Sequence, residues 1–412
     1  MAENDADPSG ISNVAVPFDW RGFIEKLDTG IGQSQLDGFA AVAGTVGPWE
    51  QSLDPTTYGS SCTYRADWLR VNLLSKFDDG LSTVIKKERA YQKFFASEVR
   101  CAETNRDIIQ NLADERVNFL SGSSIFHAAR QKIAEIMGDF DWNEAFAYMR
   151  FGKGSSTRHR YSLRNRWYKI SGMPETTLNN LAIASSFLRK AGQYWPDLSW
   201  TLDGLPHVAV VPGNKVTTVP KNSKTDRIIA IEPELNLMGQ FGVGGVIRNR
   251  LRRAGCNLQS QTRNQEMARR GSLSGFYATI DLSSASDSVS LRLCELLLPR
   301  DLFEAILITR SESGVTPLGM VTYEKVSSMG NGQTFELESM IFYALALVVA
   351  EHYGYGASDV SVYGDDIVVP SACYKALAGV LRAVGFDTNE KKTFASGPFR
   401  ESCGKHYFNG DD

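Results

Sequence analysis

Two adjacent carboxylates stand at a glycine turn in Ser361-Val362-Tyr363-Gly364-Asp365-Asp366-Ile367-Val368-Val369. The β-branched and apolar flanks read as the arms of a hairpin, and Gly364 supplies the backbone freedom of a tight turn. At a separation of about 4 Å and an effective dielectric of about 20, two such charges repel by roughly 4 kcal/mol. A hard divalent cation, Mg2+ or Mn2+, would convert that repulsion into coordination, because such ions are held by carboxylates together with substrate phosphates. A solvated Gly-Asp-Asp turn needs no cation, since Gly and Asp are favoured turn residues for conformational reasons. A second acidic site is needed to choose between the two.

That site is Phe276-Tyr277-Ala278-Thr279-Ile280-Asp281-Leu282-Ser283-Ser284-Ala285-Ser286-Asp287-Ser288. A short apolar strand ends at Asp281, and a Ser-rich turn with Asp287 precedes Val289 to Leu298, which reads as a helix entered through an N-cap. An acid at a strand end is well placed to face the hairpin acids across a sheet, and three carboxylates could then hold two metals. A third element, Ser327-Ser328-Met329-Gly330-Asn331-Gly332, is a glycine loop running into an apolar helix from Thr334 to Ala350. Free N–H groups at such a helix start suit phosphates or a nucleic-acid backbone; a plain loop before a core helix is the bland reading.

In order and spacing, Asp281 with Asp287, Gly330 with Thr334 and Glu338, and Tyr363-Gly364-Asp365-Asp366 together resemble motifs A, B and C in the palm of viral RNA-directed RNA polymerases. The segments Val219-Pro220-Lys221-Asn222-Ser223-Lys224-Thr225-Asp226-Arg227, Ser327 to Gly332, and Gly397-Pro398-Phe399-Arg400-Glu401-Ser402-Cys403-Gly404-Lys405-His406-Tyr407 are similar to the replicase catalytic subunits of the single-stranded RNA bacteriophages, the levivirus or Q-beta-like group. The likeness is clear from about Lys215 onward and weaker before it. Many viral RNA polymerases carry Asn where this chain has Glu338, and the resemblance implies that Glu is normal in the phage family.

The resemblance implies attack of an RNA 3′-hydroxyl on the α-phosphate of an NTP, with two Mg2+ ions (or Mn2+) clamping the attacking and leaving oxygens. Asp281 and Asp365 are the expected bridging ligands, Asp366 an assisting one, and Asp287 a reporter of the ribose. Lys215, Lys221, Lys224 and Arg227, a cluster ahead of the apolar strand Ile228 to Ile231, resemble the motif F residues that meet the triphosphate, although a lysine-rich loop is often just a solvated face. Gly330, Asn331 and Glu338 complete the expected nucleotide contacts. After Val380 to Phe386, read as a helix end and a strand, either Lys391 or Lys392 matches the motif D lysine that protonates the leaving pyrophosphate. Phe399 to Phe408 resembles the motif E hairpin; Cys403 and His406 within it lack a second Cys/His pair for zinc.

The implied fold class is α+β: a right-hand polymerase with fingers and an antiparallel-sheet palm, its thumb truncated or missing. The expected divisions are 1–145 (helical N-terminal region and part of the fingers), 146–275 (fingers with the motif F-like segment), 276–396 (palm) and 397–412 (palm-thumb junction). Helix-like stretches in the N-terminal part include Ala66 to Phe77 and Glu88 to Arg100, and Gly242-Val243-Gly244-Gly245 fits neither a dinucleotide fingerprint nor a P-loop.

With 412 residues and 42% hydrophobic content the chain can bury a sizeable core. The net charge of −3 by itself argues against an RNA partner. Its distribution answers this: Arg150, Lys153, Arg158, Arg160, Arg164, Arg166 and Lys169 interleave with Tyr161, Trp167 and Tyr168, and Arg248, Arg250, Arg252, Arg253, Arg263, Arg269 and Arg270 form a second basic region. Either suits a phosphate-tracking groove or an ordinary exposed face. Six scattered cysteines without CxxC pairing fit a reducing cytoplasm. The polar, acidic start carries no secretory signal, and the apolar run Met340 to Ala350 is too short to span a bilayer. Implied partners are a single-stranded RNA template and product, NTPs, host elongation factors Tu and Ts and a host ribosomal protein, without a membrane, in the cytoplasm of an infected bacterium. A catalytically inactive RNA-binding or assembly module is the competing class, and a reverse transcriptase a further one.

Overall fold

A computed structural model describes residues 53–76, 83–113, 125–163, 165–222 and 224–412. Of these, Tyr58–Lys76 belong to one compact unit, and residues 54–57 with those from 83 onward to a second. In the first unit, helix α1 (Ser61–Lys76) follows Tyr58, whose ring meets Tyr64 edge-on at 5.1 Å and whose hydroxyl donates to Asp67.

The second unit begins with the long helix α2 (Thr83–Ala113), then α3 (Ile125–Met137), α4 (Trp142–Tyr148), α5 (Arg166–Lys169) and α6 (Leu181–Ala191). Strands β1 (Glu175–Thr176) and β2 (Ala209–Val210) form a small parallel pair. Four further strands, β3 (Asn214–Pro220), β4 (Asp226–Ile231), β6 (Ser313–Thr316) and β7 (Gly319–Thr322), make a sheet in the order β4-β3-β6-β7. A three-stranded antiparallel sheet, β5-β9-β8, combines β5 (Tyr277–Ile280) with the hairpin β8 (Ser361–Tyr363) and β9 (Asp366–Pro370). A last hairpin pairs β10 (Phe399–Ser402) with β11 (Lys405–Phe408). The remaining helices are α7 (Glu234–Arg253), α8 (Thr262–Ser274), α9 (Leu291–Leu297), α10 (Arg300–Thr309), α11 (Thr334–His352) and α12 (Tyr374–Ala383). The mixture of helices with largely antiparallel sheets is α+β, as expected.

Two elements explain why the core sits where it does. Strand β9 reads Asp-Ile-Val-Val-Pro; its neighbours β5 and β8 pair both its edges, α8 and α11 pack on it, and Ile367, Val368 and Val369 are wholly inaccessible. Helix α11 is mostly apolar and buried from Glu336 through Ala350, which is what such a pattern demands. It packs against α3, α7, α12 and the β8–β9 hairpin, forming the axis of the largest hydrophobic cluster. The glycines of Gly242-Val243-Gly244-Gly245 lie inside α7, not in a loop. A Cβ on Gly242 would stand 2.9 Å from the Ala145 carbonyl oxygen and one on Gly245 2.3 Å from Tyr148, so their absence of side chains lets α4 lie directly on α7.

Expected and observed boundaries mostly agree. Serine caps the helix after Asp287 as read, with Ser290 Oγ accepting from Leu293 N. The stretches Ala66 to Phe77 and Glu88 to Arg100 lie in α1 and α2, apart from Phe77, which is outside the described residues. One expectation fails: the stretch Val380 to Phe386 holds the end of α12 but no strand. The Phe386 amide donates to the Leu381 carbonyl and closes the helix end instead, and Thr388 forms an isolated bridge to Leu282.

Candidate active site

Register brings the acids together. Ile280, the last residue of β5, pairs with Ile367, so Asp281 leaves its strand beside Asp366, which opens β9 opposite Tyr363. Gly364 and Asp365 are the two loop residues of the β8–β9 hairpin. Gly364 has φ +63°, and a Cβ there would lie 2.6 Å from the Phe335 ring. Its amide donates to Ser339 Oγ (3.0 Å), so the buried helix α11 fixes the turn directly.

Each acid has its own support. The Asp281 carbonyl accepts from the Asn389 amide (2.8 Å), and its Oδ2 from Asn389 Nδ2 (2.8 Å). Asp366 Oδ1 accepts from the Cys403 amide (3.0 Å) and from Ser402 Oγ (3.2 Å), so the β10–β11 hairpin holds it from behind. Burial pushes Asp281 up to about 6, with Lys392 and Asn389 opposing and the charges of Asp365 and Asp366 adding to it. Burial also raises Asp365, against its own backbone amide and the cations Lys392, Lys221 and Arg227. Asp366 is raised by burial and by the Asp365 charge, against the bonds from Cys403 and Ser402.

The three carboxylates are partly dehydrated and repel one another, the chemistry that coordination of a hard divalent cation relieves. Among the described residues no three His, Cys, Asp or Glu side chains stand close enough to enclose an ion by themselves. This is compatible with Mg2+, which is usually bound through one or two carboxylates plus waters and substrate phosphates and not through an all-protein cage.

Around the acids stand several expected nucleotide contacts. Glu338, buried on α11, accepts from Ser286 Oγ (2.8 Å), and burial followed by the Asp365 charge pushes it up to about 8. Asp287 sits in a short 3-10 turn (Ala285–Asp287), its Oδ1 2.9 Å from Lys325 Nζ. Lys221 lies among Arg227, Lys93 and Lys392, and shielding from water together with these like charges lowers its pKa against the pull of Asp281. Gly330 has φ +111°, with the Ala230 carbonyl oxygen 2.2 Å from where a Cβ would be, so the glycine loop lies flat on β4. Asn331 Oδ1 accepts from the Gln333 amide (3.0 Å) at the start of α11. In the same loop Ser327 Oγ, Ser328 Oγ and Gln333 Nε2 are buried without a hydrogen-bond partner, a state few native polar groups tolerate.

The two candidate lysines part company. Lys391 is exposed. Lys392 Nζ lies 3.5 Å from Glu401 Oε1, which also meets His406 Nε2 at 3.4 Å. Partial burial works against the Lys392 ammonium, and the carboxylates of Glu401 and Asp281 outweigh it, leaving its pKa above the usual lysine value.

The expected basic cluster does not stay together. Lys215 sits at the far end of β3 from Lys221, paired opposite Ile231, and its Nζ donates to the Thr157 carbonyl (2.7 Å). Lys224 lies in the β3–β4 turn, its amide donating to Asn222 Oδ1; Ser223 is outside the described residues. Much of the two long basic regions is also internally engaged. Arg158 pairs with buried Glu234 (2.7 Å), Arg248 with Glu336 (2.6 Å) and Arg250 with Glu144 (2.8 Å). Arg263 donates to the carbonyls of Ala357, Ser358 and Val360, and Lys169 caps those of Gly152 and Gly154. Arg164 and the side chains of Tyr161 and Arg166 lie outside the described residues. Nothing in the sequence marks Asn389, Ser402, Glu401 and Lys325 as site residues, since no local pattern signals a polar residue whose partner is far away in sequence.

The family model described as RNA replicase, beta-chain matches residues 42–412. This chain belongs to that family. The RNA-directed RNA polymerase subunit beta of Escherichia virus Qbeta is 44% identical over 363 residues, covering 88% of this chain and 60% of that protein. The protein of the same description from Enterobacteria phage SP is 42% identical over 352 residues, 85% of this chain and 60% of its own length. The RNA-directed RNA polymerase beta chain of Enterobacteria phage fr is 36% identical over 370 residues, covering 88% and 67%. The chain thus spans about three fifths of the length of the first two replicase relatives. Among the described residues no helix is long and apolar enough to cross a membrane.

Proposed function

We propose that this chain carries the nucleotidyl-transfer centre of an RNA-directed RNA polymerase that copies single-stranded phage RNA from NTPs. The observation that carries the reading is the convergence of Asp281 with the Asp365–Asp366 hairpin in a chain whose replicase relatives are named as RNA-directed RNA polymerases. In this reading the β5-β9-β8 sheet with α11 is the palm, spanning 276–396, residues 397–412 are the palm-thumb junction, and 146–275 with part of 1–145 forms the fingers of a right hand.

Asp281, Asp365 and Asp366 would hold two divalent ions, Mg2+ or Mn2+. When bound, such ions lower the pKa of the attacking 3′-hydroxyl and neutralise charge on the triphosphate. The protein's own part is positioning. Asn389 orients Asp281, Ser402 and Cys403 orient Asp366, and Ser339 fixes the turn that presents Asp365. Lys221 and Arg227 meet the triphosphate, with Lys224 at the rim of the same turn; Lys215, tied to Thr157, braces the sheet. Gly330 and Asn331 present the polar loop and the α11 N-terminus to the nucleotide and template. Asp287 and Glu338 read the ribose. Lys392 is the general acid in preference to Lys391, because its ammonium acts on Asp281 and Asp365 and so stands on the side from which pyrophosphate departs. RNA template and product, host elongation factors Tu and Ts, a host ribosomal protein and the host cytoplasm as the place of action belong to this reading.

Incorporation of labelled NTPs on a single-stranded RNA template, with Mg2+ and with and without elongation factors Tu and Ts, tests it. Synthesis by the wild type and loss of at least about a hundred-fold in Asp365→Asn is the expected result, because a transition-state charge contact is removed. Equal synthesis by the variant removes Asp365 from the mechanism; RNA binding without synthesis by the wild type favours a non-catalytic module.

A further inference from the structure

The Lys325 side chain is wholly inaccessible, yet it carries an ammonium group. Its Nζ lies 2.9 Å from Asp287 Oδ1, 3.0 Å from Glu98 Oε1 and 3.8 Å from the centre of the Phe94 ring. Glu98 is itself fixed, its Oε2 accepting from the Glu324 amide (2.8 Å). Phe94, Glu98, Cys101 and Asn105 recur at helical spacing on one face of α2. Cys101 Sγ donates to the Asp287 carbonyl (3.5 Å) and Asn105 Nδ2 to the Glu324 carbonyl (2.9 Å). From the other side, Val326 N donates to the Val289 carbonyl (2.8 Å) and Leu291 N to that of Glu324 (3.0 Å).

A buried ion triad of this kind is weak evidence for stability, since well-packed apolar side chains often do as well. What it does accomplish is geometric. Among the described residues Lys325 is the one side chain that bonds the Asp287 carboxylate, and it takes Oδ1, while no described residue bonds Oδ2. We propose that Lys325, clamped by Glu98, is a specificity-determining positioning residue: it holds Asp287 Oδ1 so that Oδ2 meets the ribose 2′-hydroxyl, and thereby sets the preference for NTPs over dNTPs. This rests on the polymerase reading above.

The test measures ATP against dATP on the full chain in two ways, single-nucleotide incorporation and equilibrium binding with Mg2+. Lys325→Met should lower the ratio of ATP to dATP in both by about ten- to a hundred-fold, the worth of a hydrogen bond to a charged group. The loss should fall on ATP, and Lys325→Arg should restore part of it. A merely structural role would weaken both nucleotides together. If Lys325→Met does not fold, Glu98→Gln carries the test, with a smaller fall in the same ratio. An unchanged ratio in a folded Lys325→Met or Glu98→Gln overturns the proposal, as does wild-type binding with no preference for ATP. Failure of the wild type to incorporate any nucleotide sinks the polymerase reading instead, and the binding ratio still judges Lys325.

Discussion

At the scale of single residues, the candidate site is a group of acids held where their charges are unwelcome. Asp281 has a folded pKa of about 6 against an ordinary 3.8. Because the folded value is the higher, the contribution favouring the fold is fully present below the unfolded value and is lost as pH rises through about 6. Metal-free protein should therefore gain about 1 kcal/mol from this group between pH 7.5 and pH 5.5, and Asp281→Asn should lack that gain. Denaturant melts of both proteins at the two pH values decide it; identical pH dependence would mean that Asp281 is not strained. Saturating Mg2+ should shrink the wild-type gain, since coordination favours the ionised carboxylate.

At the scale of elements, the turn and the glycine loop are held by what lies beneath them. Gly364→Ala puts a Cβ 2.6 Å from Phe335 in a left-handed backbone, which should cost about 1–3 kcal/mol of stability. Incorporation should fall further than stability, by about a hundred-fold, because moving a reacting group by about 1 Å has that effect. A thermal melt and an incorporation assay on one preparation separate the two; full activity in a destabilised variant would show that Asp365 does not need this turn. The hairpin, the strand end at Asp281 and the buried helix α11 were all legible in the sequence, since alternation, turn residues and apolar runs are local signals. The supports were not. Asn389 reaches Asp281, Cys403 reaches Asp366 and Glu98 reaches Lys325 across long stretches of chain, and neither spacing nor propensity records such contacts. The absent strand within Val380 to Phe386 is the complementary failure: the last carbonyls of the helix claim the amides of Val384, Gly385 and Phe386.

For the molecule as a whole, the question is how a chain of net charge −3 would bind the RNA that the proposed function requires. Counting basic residues along the sequence overstates the answer, because Arg158, Arg248, Arg250, Arg263 and Lys169 are bonded to carboxylates or carbonyls within the fold. Cations that remain to meet phosphate include Lys221 and Arg227 beside the acids and the exposed Lys153, Arg160 and Arg253 of the basic regions. Two variants separate these classes. Lys221→Ala should reduce the slope of log affinity against log salt by about 0.7, the value for one phosphate contact on a single strand, and leave the melting temperature unchanged. Arg158→Ala should leave the slope unchanged and destabilise the fold by about 3–5 kcal/mol, because it strands the buried carboxylate of Glu234. Filter binding across a salt series, with a melt of each variant, reads both. Should Arg158→Ala lower the salt slope in a fully stable protein, the basic stretch from Arg150 to Lys169 would track RNA after all, and the ion pair with Glu234 would be incidental to the fold.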